Sequence, residues 1–240
     1  MRKDHLLKGE KLQCRVIPVT WARQNCSLLW CLETRKAVII DPGGDIDLLL
    51  RAIDEEQVDV ERLLITHPHP DHAGAAADLA ELLAVPVEGP NKGDESLIER
   101  MSRMGEHLGF YECSPFVPHR WLQDQDKVKV GNRILVALHC PGHTAGHMAY
   151  FSPEAKIAFV GDILFRGAVG ATATPHDHLE LLRSIRLKLL PLGDDVLFVP
   201  GHERLSTFGE ERKNNYAVSD IAAEKYTHFF DDPRFIKGRD

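Results

Sequence analysis

The chain has 240 residues, of which 43% are hydrophobic and 27% charged, with a formal net charge of -7. That composition suits one sizeable globular core and excludes a disordered chain, and no stretch approaches the ~20 apolar residues of a membrane-spanning helix. The acidic balance argues against a nucleic-acid partner, whose affinity would come from Lys and Arg neutralising phosphates.

The start, Met1-Arg2-Lys3-Asp4-His5-Leu6-Leu7, lacks a secretory apolar run of ~7–15 residues, so a cytoplasmic location is expected, with no membrane partner. Strands are predicted at 12–19, 27–32 and 37–40, each rich in β-branched or large apolar residues. Asp41-Pro42-Gly43-Gly44 stops the third, and Asp45 is placed to cap a helix whose apolar Ile46, Leu49, Leu50 and Ile53 keep helical spacing. Leu63-Leu64-Ile65 then gives a short buried strand and completes a β-α-β unit. A histidine-rich run follows directly, and 73–84, dominated by Ala and Leu, reads as a close-packed helix.

The segment 91–125 is less regular, with a helix predicted around 95–107 and a proline-containing loop after it. Residues 127–138 alternate on both sides of Gly131-Asn132, a two-residue hairpin signal. Further strands are predicted at 148–151, 156–160 and 196–199, and Asp177 is placed to cap a helix reaching about Leu190. No internal repeat or Ser/Gly-rich linker divides the chain. One domain over 12–216 is expected, between an N-terminal extension, 1–11, and a C-terminal appendage, 217–240. Cys14, Cys26, Cys31, Cys113 and Cys140 are odd in number and form no Cys-x-x-Cys pair, so they read as buried thiols in a reducing compartment.

The chemistry concentrates in His67-Pro68-His69-Pro70-Asp71-His72. Zinc and similar ions take imidazole nitrogen and carboxylate oxygen, and a hydrolytic site keeps positions open for water. His67 and His69, at alternate positions, can face one side of an extended segment while Asp71 and His72 diverge. The run therefore divides between two ions rather than serving one. Pro68 and Pro70 fix their own φ and bias the preceding residue toward extended geometry, stiffening the loop. A lone histidine here would read as part of a polar loop. Four donors at a strand's C-terminal end and before a helix favour metal, since ligand sites in α/β folds favour that location.

Together with a distant His in Cys140-Pro141-Gly142-His143-Thr144, an Asp in Gly161-Asp162 and a His in Pro200-Gly201-His202, the run resembles the pattern of the metallo-β-lactamase superfamily. Over roughly 14–216 the chain is similar to the short bacterial type II glyoxalases, the hydroxyacylglutathione hydrolases. The matching segments are Asn25-Cys26, Asp41-Pro42-Gly43-Gly44, Gly142-His143-Thr144-Ala145-Gly146-His147, Gly161-Asp162-Ile163-Leu164-Phe165 and 189–196.

The resemblance implies an α/β (α+β) fold, a four-layer αββα sandwich with metals between the edges of two mixed sheets. It implies that His67, His69 and His143 hold one ion, that Asp71, His72 and His202 hold the second, and that Asp162 bridges them. The expected cofactors are two divalent ions, zinc first, with iron or manganese as alternatives. Such a pair lowers the pKa of a shared water enough to supply hydroxide near neutral pH and polarises the carbonyl under attack, with Asp71 as the catalytic residue that orients the nucleophile. The expected partner is a small-molecule thioester, hydroxyacyl-glutathione or similar, whose thiolate leaves with little protonation because its thiol pKa is ~8.5.

Other residues carry two readings. Asp41 fits an Asx turn before Pro42 or a hydrogen bond to a metal-bound histidine, and His147 fits packing or similar support. His176 and His178 read as surface residues and Cys140 as an inert thiol. The chain also departs from its relatives. Gly170-Ala171-Thr172-Ala173 stands where Gly-Arg-(Ser/Thr)-Asp is usual, and Glu203-Arg204 follows His202 in place of Gly-Pro. Larger type II glyoxalases resemble one another in a C-terminal helical domain that holds glutathione; with 38 residues after His202 (240 minus 202) that domain is expected to be absent or vestigial here, with Arg204, Arg212 and Lys213 as candidate cations. Competing activities are a persulfide dioxygenase with one iron on His67, His143 and Asp162, and a lactonase. A non-catalytic binding module is disfavoured because no ligand position is lost.

Overall fold

Period-two burial sorts the strands of the N-terminal half between two faces. The computed structural model describes residues 5–219. Strands β1 (His5–Lys8), β2 (Leu12–Val19), β3 (Gln24–Cys31), β4 (Lys36–Ile40), β5 (Asp59–Leu64) and β6 (Val87–Glu88) form one mixed sheet in that order. The β4–β5 and β5–β6 pairs are parallel, so their connections must cross over. They do so through α1 (Ile46–Glu56) and through α2 (Pro70–Ala73) and α3 (Ala76–Leu83).

Ile17, Val19, Leu28, Trp30, Ala37 and Ile39 face a core shared with α1, α3 and α5 (Met101–Leu108), which follows the short α4 (Glu95–Ile98). Their neighbours Cys14, Val16, Leu29, Cys31, Val38 and Ile40 point the other way, as alternation requires. There they meet Val128, Leu135, Met148, Tyr150 and Phe159 of a second sheet.

That sheet comprises β7 (Lys127–Val130), β8 (Arg133–His139), β9 (Met148–Ser152) and β10 (Ile157–Gly161), then, after the small β11 (Leu164–Phe165) and β12 (Ala168–Val169) hairpin, β13 (Leu197–Pro200) and β14 (Ser206–Thr207). Its outer face packs a third core, with Leu138, Ala149, Ala158 and Phe198 under α6 (Pro175–Ser184) and α7 (Phe208–Asn214). Helices, sheet, sheet and helices are the four layers of the expected αββα sandwich. Phe198 stacks on Phe208 at 5.2 Å, both fully buried. Phe198→Ala should therefore lower unfolding free energy by about 3–5 kcal/mol, measurable by urea titration.

Several boundaries differ from expectation, each for a local reason. Residues 5–8, assigned to an extension, pair with β2 and begin the first sheet. Ala217 and Val218 belong to the third core and Ser219, next to them in sequence, is buried, while 220–240 of the expected appendage lies outside the described residues. The Asp45 side chain does not cap α1, although its backbone carbonyl accepts from Leu48 N and Leu49 N. Asp45 is left-handed, and its Oδ2 accepts from Thr20 N at 2.7 Å, tying the β2–β3 turn to α1. Thr174, not Asp177, caps α6 by accepting from Asp177 N, with Pro175 in the first turn. The helix expected at 73–84 starts earlier and breaks after Ala73, because Ala75 N donates to Pro42 O. The helix expected near 95–107 is likewise two short ones. No helix among the described residues is long and apolar enough to cross a membrane.

Candidate metal centre

Every strand that carries a predicted ligand ends at the same edge of the two sheets. His67 follows β5, His69 immediately precedes α2, and Asp71 and His72 ride on α2, with Pro70 opening its first turn. His143 lies in the loop between β8 and β9, Asp162 directly after β10, and His202 just beyond β13. A register shift between Phe159 and Gly161 turns the chain into Asp162. Gly161 has a φ of +48°, and a Cβ there would lie 2.6 Å from Thr66 Oγ1 and 2.7 Å from His147 Nε2. Only glycine fits.

Two donor groups result. In the first, His69 Nδ1 lies 2.9 Å from His67 Nε2 and 3.0 Å from His143 Nε2. The outer hydrogen bonds fix the tautomers. Thr66 Oγ1 gives its proton to Asp41 Oδ2, so it accepts from His67 Nδ1 at 3.0 Å. His143 Nδ1 donates to the Ala171 carbonyl at 2.7 Å. Both Nε2 atoms therefore present lone pairs to His69, which can donate to at most one of them.

In the second group, His72 Nδ1 donates to Asp41 Oδ2 at 2.9 Å, turning its Nε2 toward Asp162 Oδ1 at 3.2 Å and Asp71 Oδ2 at 3.7 Å. His72 Nε2 and Asp162 Oδ1 are buried without forming a hydrogen bond. His202 Nε2 lies 3.0 Å from Asp71 Oδ2. Asp162 reaches both groups, its Oδ2 being 3.7 Å from His143 Nε2 and 3.8 Å from His202 Nε2. Converging lone pairs in one group, and two carboxylates drawn up to the inner nitrogen of His72 in the other, are donor sets that suit cations.

A third cluster of Asp41, His67 and His72 is also close enough to hold an ion. Asp41 has its oxygens committed, however: Oδ1 accepts from Thr66 N, and Oδ2 from Thr66 Oγ1 and His72 Nδ1. It orients two histidines, which decides between the two readings of this residue. His147 does both things open to it. Its Nε2 accepts from Asp162 N at 3.2 Å, and its ring stacks on His67 at 4.7 Å.

Sequence reasoning missed Thr66, and quoted Asn25 only as part of a family match. Asn25 Nδ2 donates to Pro200 O and Glu203 O, and Asn25 N to Gly201 O, which pins the turn that presents His202. His176 is exposed on α6 and belongs to neither donor group. All five cysteines are buried and free, and burial pushes Cys140 up to about 12. Arg212 is engaged by Asp194 and the Leu190 carbonyl, whereas Glu203 and Arg204 are exposed.

Burial and the neighbouring imidazoles hold His67 and His147 far below the ordinary histidine range, and burial with His143 nearby pushes His69 down to about 4. Burial lowers His143 as well, despite Asp162. Burial opposes charge on His72 and His202 too, but for His72 the Asp162 and Asp71 carboxylates prevail, and for His202 the hydrogen bond to Asp71, with Asp162, prevails. Both are raised.

The signs give a pH prediction for chelator-treated protein. The lowered group (His67, His69, His143 and His147) contributes stability that is present above an unfolded pKa of about 6.5 and lost as pH falls toward the folded values. The raised pair contributes stability present below about 6.5 and lost as pH rises through the folded values. Thermal midpoints should peak near pH ~6.5 and fall on both sides. A monotonic rise from acid to alkaline pH would contradict this assignment.

Comparison with known proteins agrees with the geometry. The family model described as the metallo-beta-lactamase superfamily matches residues 19–202. The hydroxyacylglutathione hydrolase GloC of Haemophilus influenzae is 40% identical over 206 residues, covering 85% of this chain and 97% of that protein. The B3 metallo-beta-lactamase BLEG-1 superposes with a TM-score of 0.76 at 30% identity, covering 84% of this chain and 97% of the other. TTHA1623, crystallised in a di-iron-bound form, superposes with a TM-score of 0.74 at 33% identity, covering 83% and 98% respectively.

Proposed function

The chain belongs to the metallo-beta-lactamase superfamily as a metal-dependent hydrolase, and from that premise we propose that it cleaves a hydroxyacyl thioester, hydroxyacyl-glutathione or a similar small substrate, at a dinuclear centre. The observation that carries the reading is the placement of Asp162 between two donor groups, His67/His69/His143 and Asp71/His72/His202. Two divalent ions, zinc with iron or manganese as alternatives, would be held there with Asp162 shared. When bound, they supply a water of lowered pKa and polarise a carbonyl.

The chain's own residues supply the rest. Asp41 and Ala171 O fix the outer nitrogens of His72 and His143, so the inner ones are turned to the site as the ligating atoms. Asp71 and His202 form the open side, with side chains 19% and 25% exposed, while His72 is sealed. Asp71 accepts a hydrogen bond from the entering water and aims its oxygen at the acyl carbon. The C–O bond forms, the C–S bond breaks, and sulfur leaves with the bonding pair as thiolate, which needs no protein acid because its thiol pKa is about 8.5. The products are a carboxylate, the thiolate and released protons.

The similarity to the Haemophilus hydroxyacylglutathione hydrolase supports a thioester substrate. Replacement of an expected Arg by Ala171 leaves the centre intact, since the contact to His143 runs through the residue's carbonyl. A mononuclear dioxygenase would need only His67, His143 and Asp162; the Asp71–His202 approach at 3.0 Å supports the dinuclear reading instead. Purified enzyme should hydrolyse S-lactoylglutathione well above a lactone. Oxygen uptake on a persulfide with no thioester hydrolysis would overturn the proposal.

A further inference from the structure

His143 is the one member of the His67/His69/His143 group supplied by the second half of the chain, and its loop has little internal support. Within 140–147 the backbone closes through Cys140 N to His147 O at 2.8 Å and Gly142 N to Thr144 O at 3.1 Å. From outside, Ser184 Oγ donates to Pro141 O at 2.8 Å, His139 Nε2 to Ala145 O at 2.9 Å and His143 Nδ1 to Ala171 O at 2.7 Å, and the segment just after His143 is held by the turn at 91–94. Asp94 is fully buried, and its carboxylate accepts from Thr144 Oγ1 at 2.6 Å and from Gly146 N at 2.7 Å. Asn91 N donates to Gly146 O at 2.9 Å. The two turns interlock so closely that a Cβ on Gly146 would lie 2.4 Å from Asn91 O and 2.6 Å from Asp94 N.

A buried carboxylate is a costly filler, and an apolar side chain would pack the same space without that cost. Burial accordingly pushes Asp94 up to about 6. What the carboxylate offers, and an amide does not, is two acceptor oxygens for two donors that both belong to the loop behind His143. We infer that Asp94 is a positioning residue for His143, acting through Thr144 and Gly146 to set the imidazole against His69 without touching a ligand itself. The inference rests on reading His67, His69 and His143 as metal ligands.

The test is a zinc titration against a chromophoric chelator, with far-UV circular dichroism as the check on folding. Wild-type protein should bind two equivalents. D94N, which keeps the shape but leaves one acceptor oxygen, should weaken one equivalent by about 10–100-fold and leave the other within about twofold. T144V, which removes the hydroxyl with little change of volume, should weaken the same equivalent, and T144S should restore it. Folded D94N and T144V that bind both equivalents with wild-type affinity would overturn the inference. So would a loss spread equally over both equivalents, or one accompanied by loss of the circular dichroism signal, since either marks general structural damage. Wild-type protein that binds no zinc would remove the ligand reading itself, and this inference with it.

Discussion

His69→Ala is expected to lower thioester turnover by about a thousandfold, taking several kcal/mol from the transition state at tenfold per 1.36 kcal/mol. The position explains the size. His69 Nδ1 stands between His67 Nε2 and His143 Nε2 at 2.9 and 3.0 Å, so its removal leaves the first ion two imidazoles and only a share of Asp162. Elemental analysis should find one equivalent lost and the second retained. Folding should survive, because His69 is only half-buried before α2 and its backbone carbonyl still accepts from His72 N and Ala73 N. Full activity and full metal content in this variant would remove the first donor group from the account.

Asp162→Asn should cost at least as much activity, about a thousandfold, but with a different signature. The substitution keeps size while deleting the negative charge that faces His72 at 3.2 Å and reaches His143 and His202 at 3.7 and 3.8 Å. Both metal equivalents should weaken together, where His69→Ala removes one. The surrounding imidazoles, His72 foremost, overcome burial and hold the Asp162 carboxyl far below its ordinary range. An Asp162→Asn protein that loses only one equivalent would show that Asp162 serves a single ion.

Much of this centre was legible because its chemistry is local. His67 to His72 packs the donors of both groups into one strand end and one helical turn, and residue type alone announces them. His143, Asp162 and His202 were legible only as an ordered set, since Gly-His and Gly-Asp pairs are ordinary turns until the sheets bring their ends together.

The residues that support them were legible only in part: Asp41 and His147 carried the supporting role as one of two readings, and Thr66 and Asp94 carried none. Asp41 in Asp-Pro-Gly-Gly fitted a turn as well as a bond to a histidine, because its bonds to Thr66 and His72 arise from the β4–β5 pairing. Asp94, ahead of Glu95, looks like a helix-start residue, and nothing local says that its carboxylate faces a loop fifty residues on. The same limit explains the broken helix after Ala73: the Ala75 amide leaves the helical pattern for the Pro42 carbonyl, a tertiary choice that Ala-rich propensity cannot anticipate. The edge strand β1 was missed because four residues, three of them exposed, leave almost no pattern.

The central claim is that two ions share this site and that hydrolysis needs both. It is tested most directly by stripping the purified protein with chelator, returning zinc stepwise, and following S-lactoylglutathione hydrolysis against bound metal. The account predicts little turnover up to one ion per chain and a steep rise as the second binds, saturating at two. Full turnover at one ion per chain, or turnover indifferent to metal, would contradict it.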